Sequence, residues 1–199
     1  MNRYFIIHKP YNVLSQFTSD DGKLCLKDFF KVPSNVYPIG RLDYDSEGLL
    51  LLTNDTSLNK QILHPHSQIK KTYWVQIEGV INDAAIKKLQ QGVIINTNGK
   101  VYKTLPCVAS ILNKNEIDGI QERNPPIRER KNIPTCWVSI TITEGKNRQV
   151  RKMTAAIGYP TLRLIRVAIG DIGIGNLQAG QIIEFSKNSI SKKLALAPQ

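Results

Sequence analysis

In the stretch GRLDYDSEGLLLLTND, Gly40 to Asp55, an arginine and an aspartate stand two residues apart and the chain then runs into four consecutive leucines. Asp43 could serve as a nucleophile or a base if it is held ionised at the lip of buried structure. A carboxylate is costly to bury unless a cation faces it, and that pairing keeps it in the form a nucleophile requires. In an extended segment Arg41 projects to the same side as Asp43, so the spacing itself offers a cation. The residues LDYDSEG also read as a polar turn between strands, because Asp, Ser and Gly are what turns prefer. The segment alone leaves both readings open.

A second group lies in TEGKNRQVRKMTAAIGYP. Val150, Met153, Thr154 and Ile157 recur at helical spacing, Gly158 can cap the end and Pro160 prevents continuation, so the pattern predicts a helix from near Asn147. Unpaired amides at its start, together with Lys146 and Arg148, would form a phosphate site; a solvated basic helix is the alternative.

Composition points the same way. Lys and Arg total 27 against 16 Asp and Glu, a net charge of +11, and such an excess favours a polyanionic partner, nucleic acid ahead of an anionic membrane. No apolar run approaches the ~20 residues that span a bilayer. The opening MNRYFIIHKP has too short an apolar patch for a signal peptide, so a cytoplasmic protein without a membrane partner is expected. Cys25, Cys107 and Cys136 are too widely spaced for a disulfide framework or a zinc site. His64-Pro65-His66 reads as a loop rather than a ligand pair, and no metal is expected.

The elements that must position these residues alternate as in an α+β protein. RYFIIH and VLSQF read as short strands around a Lys9-Pro10-Tyr11-Asn12 turn, and GLLLLT as a continuous apolar strand suited to the middle of a sheet. KKTYWVQIEGV places Tyr73, Val75 and Ile77 on one face. NDAAIKKLQQG reads as a helix capped by Asn82 or Asp83 and stopped by Gly92, with a hairpin turn at Asn98-Gly99. TCWVSITIT, TLRLIRVAIG and AGQIIEF complete the strands. Residues 111–134 read as an insertion loop, and residues 186–199 as a basic tail.

HKPYNVLSQF, GRLDYDSEGLLLLTND, KTYWVQIEG and EGKNRQVRKMTAAIGYPTLRLIRVAIG together resemble the pseudouridine synthases that act on bacterial small- and large-subunit ribosomal RNA. The likeness extends from about residue 4 to residue 185. It implies the pseudouridine synthase fold: a curved, mainly antiparallel mixed sheet across two joined subdomains, about 1–65 and 66–185, with a central active-site cleft. No separate amino-terminal RNA-binding domain is expected. The resemblance implies isomerisation of a uridine of 23S rRNA, free or in an assembly intermediate, with no cofactor and no obligate protein partner.

The resemblance also places Asp43 at the family's catalytic aspartate and Tyr73 at the tyrosine that stacks on the flipped uracil. Arg151 falls at the basic residue paired with the aspartate, and Leu164 at an apolar pocket position. Arg41 would fill the gap left by the flipped base or contact a phosphate. From the residues alone Tyr73 is equally a core aromatic. Asn12 stands where the family usually has glycine, and asparagine tolerates the left-handed backbone such a turn needs. RNA contacts are expected from Lys9, Lys70, Lys71, Lys146, Arg148, Lys152 and Arg163, and from Arg123, Arg128, Arg130 and Lys131 in the loop. Two other classes are a non-catalytic rRNA-binding or ribosome-assembly protein and a hydrolase using Asp43. The hydrolase would need a second carboxylate, for which Asp45 and Glu47 are near only in sequence.

Overall fold

A computed structural model describes residues 1–64, 67–127 and 133–194. In chain order the elements are β1 (Tyr4–Lys9), β2 (Tyr37–Pro38), β3 (Glu47–Thr53), α1 (Thr56–Leu63), β4 (Lys71–Glu78), α2 (Asp83–Gln90), β5 (Ile94–Thr97) and β6 (Lys100–Lys103). They continue with β7 (Val108–Ile111), α3 (Lys114–Ile117), β8 (Thr135–Ile142), α4 (Gln149–Ala156), β9 (Thr161–Ile169), β10 (Ile172–Gly173), β11 (Ile182–Phe185) and α5 (Lys187–Lys193). This is the α+β pattern, with strand pairing mostly antiparallel.

The chain forms two compact units, residues 1–69 with 166–199 and residues 70–165. It therefore crosses between them twice, after residue 69 and again inside β9, where the sequence pattern suggested one crossing near residue 65. In the first unit the strand order is β11-β1-β3-β9, with β2 on β3 and β10 on β9. β3 is buried along its whole length. Its leucines alternate between two apolar clusters, Leu49 and Leu51 with Tyr4, Ile6 and Leu58 on one face, Leu50 and Leu52 with Phe5, Ile7 and Phe30 on the other. That two-sided burial is why the sequence shows a continuous apolar run instead of an alternation.

In the second unit the order is β9-β4-β8-β7, with β5 and β6 as a separate hairpin. β4 alternates as its sequence predicts, burying Tyr73, Val75 and Ile77. α2 is capped by Asn82, whose side chain accepts the Ala85 amide at 2.9 Å, and α4 carries Val150, Met153 and Thr154 inward.

Three expectations change. VLSQF is not a strand: only Leu14 bridges, to Cys25, because Asn12 turns left-handed at φ +56° and redirects the chain out of β1. Residues 111–134 are not wholly loop, since Asn113 and Glu116 form a reciprocal cap around α3. The supposed tail contains α5, whose start is capped by Ser186 and whose Ile190 joins Leu194 in the first unit's core. Lysines at 187, 192 and 193 mask that amphipathic pattern in a composition reading.

Candidate active site

Asp43 sits in the first unit on a backbone fixed from both sides. Ahead of it, Leu42 is buried and held by one hydroxyl: Ser15 Oγ donates to the Leu42 carbonyl at 2.7 Å and accepts the Leu42 amide at 3.0 Å. Behind it, the Asp43 carbonyl accepts the Ser46 amide at 3.0 Å, closing a turn into β3. Gly48 then passes so close to the backbone of Arg166 in β9 that a Cβ would collide with the Arg166 carbonyl, and its φ of +108° suits glycine alone. Arg166 is itself buried, its Nε donating to the Leu49 carbonyl at 2.8 Å. Asp43 is half-buried and Arg41 is exposed. Arg41 does not lie in a strand, because β2 ends at Pro38 and Gly40 is left-handed at φ +69°.

Beneath this loop lies Lys9. It is fully buried, and its Nζ donates to the carbonyls of Pro10 at 2.8 Å and Val13 at 2.7 Å. Burial pushes its ammonium down to about 7 against the opposing pull of Glu47, Asp45 and Asp43, with Arg166 adding to the depression. A neutral amine still carries two N–H bonds, one for each carbonyl. This corrects the expectation that Lys9 contacts phosphate: its nitrogen faces the protein.

In the second unit Tyr73 is buried on β4, opposite Ile140 of β8. Leu164 is buried on β9, whereas Leu162 on the same side of the sequence alternation is only half-buried. Arg151 is half-buried on α4. The helix is tied down one turn later by the fully buried Thr154, which donates to the Arg151 carbonyl at 3.1 Å and meets Thr161 Oγ1 at 2.7 Å.

The turn before α4 has its own anchor. Glu144 accepts the Leu105 amide at 2.9 Å, the Tyr102 hydroxyl at 2.5 Å and Gln149 Nε2 at 2.5 Å. Gln149, nearly fully buried, also accepts the Lys146 amide at 2.9 Å. The chain between them can then place Arg148 at φ +51° as the residue preceding the helix. Lys146 and Arg148 are exposed, Lys146 Nζ lying 4.9 Å over the Tyr102 ring.

Other cations expected at RNA divide by burial. Lys152 is half-buried and reaches Asn147 at 3.2 Å; Lys71 is half-buried with Nζ 3.4 Å from the Thr143 carbonyl. Arg163 departs from the expectation: it is buried, donates to the Gln121 carbonyl at 2.7 Å and lies 6.0 Å from the Trp137 ring. It ties the insertion loop to β9 rather than presenting charge to solvent. Arg123 bonds the carbonyls of Pro125 and Pro126. Arg128, Arg130 and Lys131 lie outside the described residues, as do Pro65 and His66. Among the described residues no three His, Cys, Asp or Glu side chains gather as metal ligands would, and no helix is long and apolar enough to cross a membrane.

The residues that sequence reasoning passed over are Ser15, Glu144 and Gln149. Ser15 and Glu144 meet partners as far as 27 and 42 residues away, which no local spacing announces; Gln149 meets Glu144, Lys146 and Met153, all within five residues, a local signal that could have found it.

The model of the RNA pseudouridylate synthase family matches residues 3–156. The chain belongs to that family. It is 50% identical over 179 residues to ribosomal large subunit pseudouridine synthase E of Vibrio parahaemolyticus, covering 90% of this chain and 72% of that protein. The synthase of the same name from Xanthomonas campestris pv. campestris is 45% identical over 181 residues, 88% of this chain and 91% of the relative. A crystal structure of a pseudouridylate synthase superposes with a TM-score of 0.78 at 26% identity, over 97% of this chain and 74% of the other. The pseudouridine synthase fold read from the motifs is thus the fold of the chain, and the enzyme is an isomerase.

Proposed function

We propose that this pseudouridine synthase converts a uridine of 23S ribosomal RNA to pseudouridine with Asp43 as its catalytic carboxylate. The observation that carries the reading is the 45–50% identity to large subunit synthases E of other bacteria, in a chain that holds Asp43 on a backbone fixed at Leu42 and Ser46. The substrate is free 23S rRNA or an assembly intermediate of the large subunit.

The reaction breaks the N1–C1′ bond, turns the uracil and joins C5 to C1′; the proton leaves C5 and N1 gains one. No electron is transferred and no water consumed. Asp43 attacks C6 of the uracil or C1′ of the ribose, or removes the C2′ proton. Tyr73 stacks on the flipped base and takes part in the late proton transfer. Arg151 supplies the cation for the aspartate, an electrostatic role that preorganisation makes effective. Leu164 lies under the base, and Arg41 offsets part of the few kcal/mol spent on unstacking the uridine.

Tritium release from C5-labelled uridine in unmodified 23S rRNA tests this. Wild type releases tritium and retains the base as pseudouridine, whereas Asp43→Asn releases none. Free uracil among the products would point to a hydrolase, and tight binding without any release to a non-catalytic assembly protein.

A further inference from the structure

The loop that carries Asp43 is not held by its own residues alone. Ser15 lies 27 residues earlier, and its hydroxyl satisfies both backbone groups of Leu42, the residue covalently joined to Asp43. A hydroxyl can do this because it has one proton to give and lone pairs to receive. Ser15 and Leu42 are both buried, so water cannot replace either bond.

Ser15 is itself fixed on each side. The Leu14 amide donates to the Leu24 carbonyl at 2.9 Å, and the Gln16 carbonyl accepts the Leu26 amide at 2.8 Å. Lys9 Nζ gathers the turn before it through Pro10 and Val13. The hydroxyl therefore projects onto Leu42 from a backbone hydrogen-bonded on each side, and the Asp43–Ser46 turn holds the other side.

We propose that Ser15 is a positioning residue for Asp43: its two-way hydrogen bond to Leu42 sets where the catalytic carboxylate stands, and the rate depends on it more than the affinity does. This rests on Asp43 being the catalytic carboxylate. Without the hydroxyl both Leu42 groups lose their partner, the backbone shifts to find others, and the carboxylate moves with it. RNA is bound mainly through cations elsewhere, so its affinity changes little.

The experiment compares wild type, Ser15→Ala, Ser15→Thr, Asp43→Asn and Ile190→Ala on unmodified 23S rRNA transcript, at matched concentrations of folded protein. Ile190→Ala cuts a cavity in the first unit's core, in a cluster to which Leu42 does not belong, and controls for destabilisation. Ser15→Ala is expected to lower kcat by about 100-fold while KM for RNA stays within about threefold, the signature of a misplaced reacting group. Ser15→Thr, which keeps the hydroxyl, recovers most of the rate. Should Ser15→Ala not fold, Ser15→Cys, with the same shape and a weaker hydrogen bond, carries the same comparison.

A Ser15 variant whose kcat matches that of Ile190→Ala, beside an inert Asp43→Asn, overturns this inference alone. An Asp43→Asn enzyme as active as wild type overturns the assignment of Asp43 and this inference with it.

Discussion

The Asp43 loop and the turn before α4 are both held by polar side chains, buried at the first and half-buried at Glu144 of the second, yet they hold different things. Around Asp43 the anchors are Ser15, Lys9 and the Arg166 backbone, and what they fix is one half-buried carboxylate. Before α4 the anchor is Glu144, bound to Leu105, Tyr102 and Gln149, and what it presents is a pair of exposed cations, Lys146 and Arg148. On the proposed assignment Asp43 is a reacting group with one useful position, so loss of its support is felt in rate. Exposed cations act through charge density, and several neighbours share the work.

The sharpest break of this contrast is Asp43→Asn. It should lower turnover by on the order of 10³-fold or more, as removal of a group used only in the transition state does, with RNA affinity nearly unchanged. Filter binding and tritium release on the same preparations check both halves. A parallel loss of affinity would mean that Asp43 organises the binding surface as well.

Glu144→Ala tests the other anchor. It removes the partner of the exposed Leu105 amide, of the half-buried Tyr102 hydroxyl and of the Gln149 amide, and should cost about 1–2 kcal/mol of stability, since water reaches part of what is left unpaired. Urea unfolding reads this directly. Unaltered stability would mean that water replaces the carboxylate, and that the turn is held by α4 alone.

Lys9 distinguishes the two regions by pH. Its folded value is about 7 and its unfolded value 10.5, so between these the unfolded chain holds the extra proton and stability rises with pH. The full penalty of burying the ammonium is present below the folded value and is gone above the unfolded one. Against Lys9→Met, which lacks this ionisation, wild type should therefore gain stability from about pH 7 to about pH 10. Parallel pH profiles for the two proteins would show that Lys9 remains charged in the fold.

Much of this organisation was legible in the chain, and its failures share a cause. The buried run Leu49–Leu52, the alternation of β4 and the caps of α2 follow from local periodicity and turn chemistry, which the fold obeys. The motif around Asp43 suggested the family only together with HKPYNVLSQF, KTYWVQIEG and EGKNRQVRKMTAAIGYPTLRLIRVAIG. Lys9 and Arg163 were misjudged because composition does not reveal whether a cation's head group meets solvent or backbone carbonyls, local ones at Pro10 and Val13 for Lys9 and a distant one at Gln121 for Arg163. VLSQF has strand composition, but one left-handed residue, Asn12, sends it to pair with residues 24–26 and frees Ser15 for Leu42. α5 was hidden because four residues of separation between Ile190 and Leu194 carry its whole apolar face among lysines.

The smallest effect, and the one that most sharpens the contrast, belongs to Lys146→Ala. The Glu144–Gln149 anchor bonds the Lys146 backbone amide, not its side chain, so truncation leaves the turn intact and removes one exposed charge together with its contact on the Tyr102 ring. Affinity for 23S rRNA should fall only a few-fold at moderate salt, and the log–log salt slope should become shallower by about 0.7, the value for one phosphate contact on single-stranded RNA. The rate at saturating RNA should not change. Lys9→Met, whose ammonium meets no solvent, should leave that slope where it was; a slope shifted by Lys9→Met and not by Lys146→Ala would reverse the division between support and binding drawn from their burial.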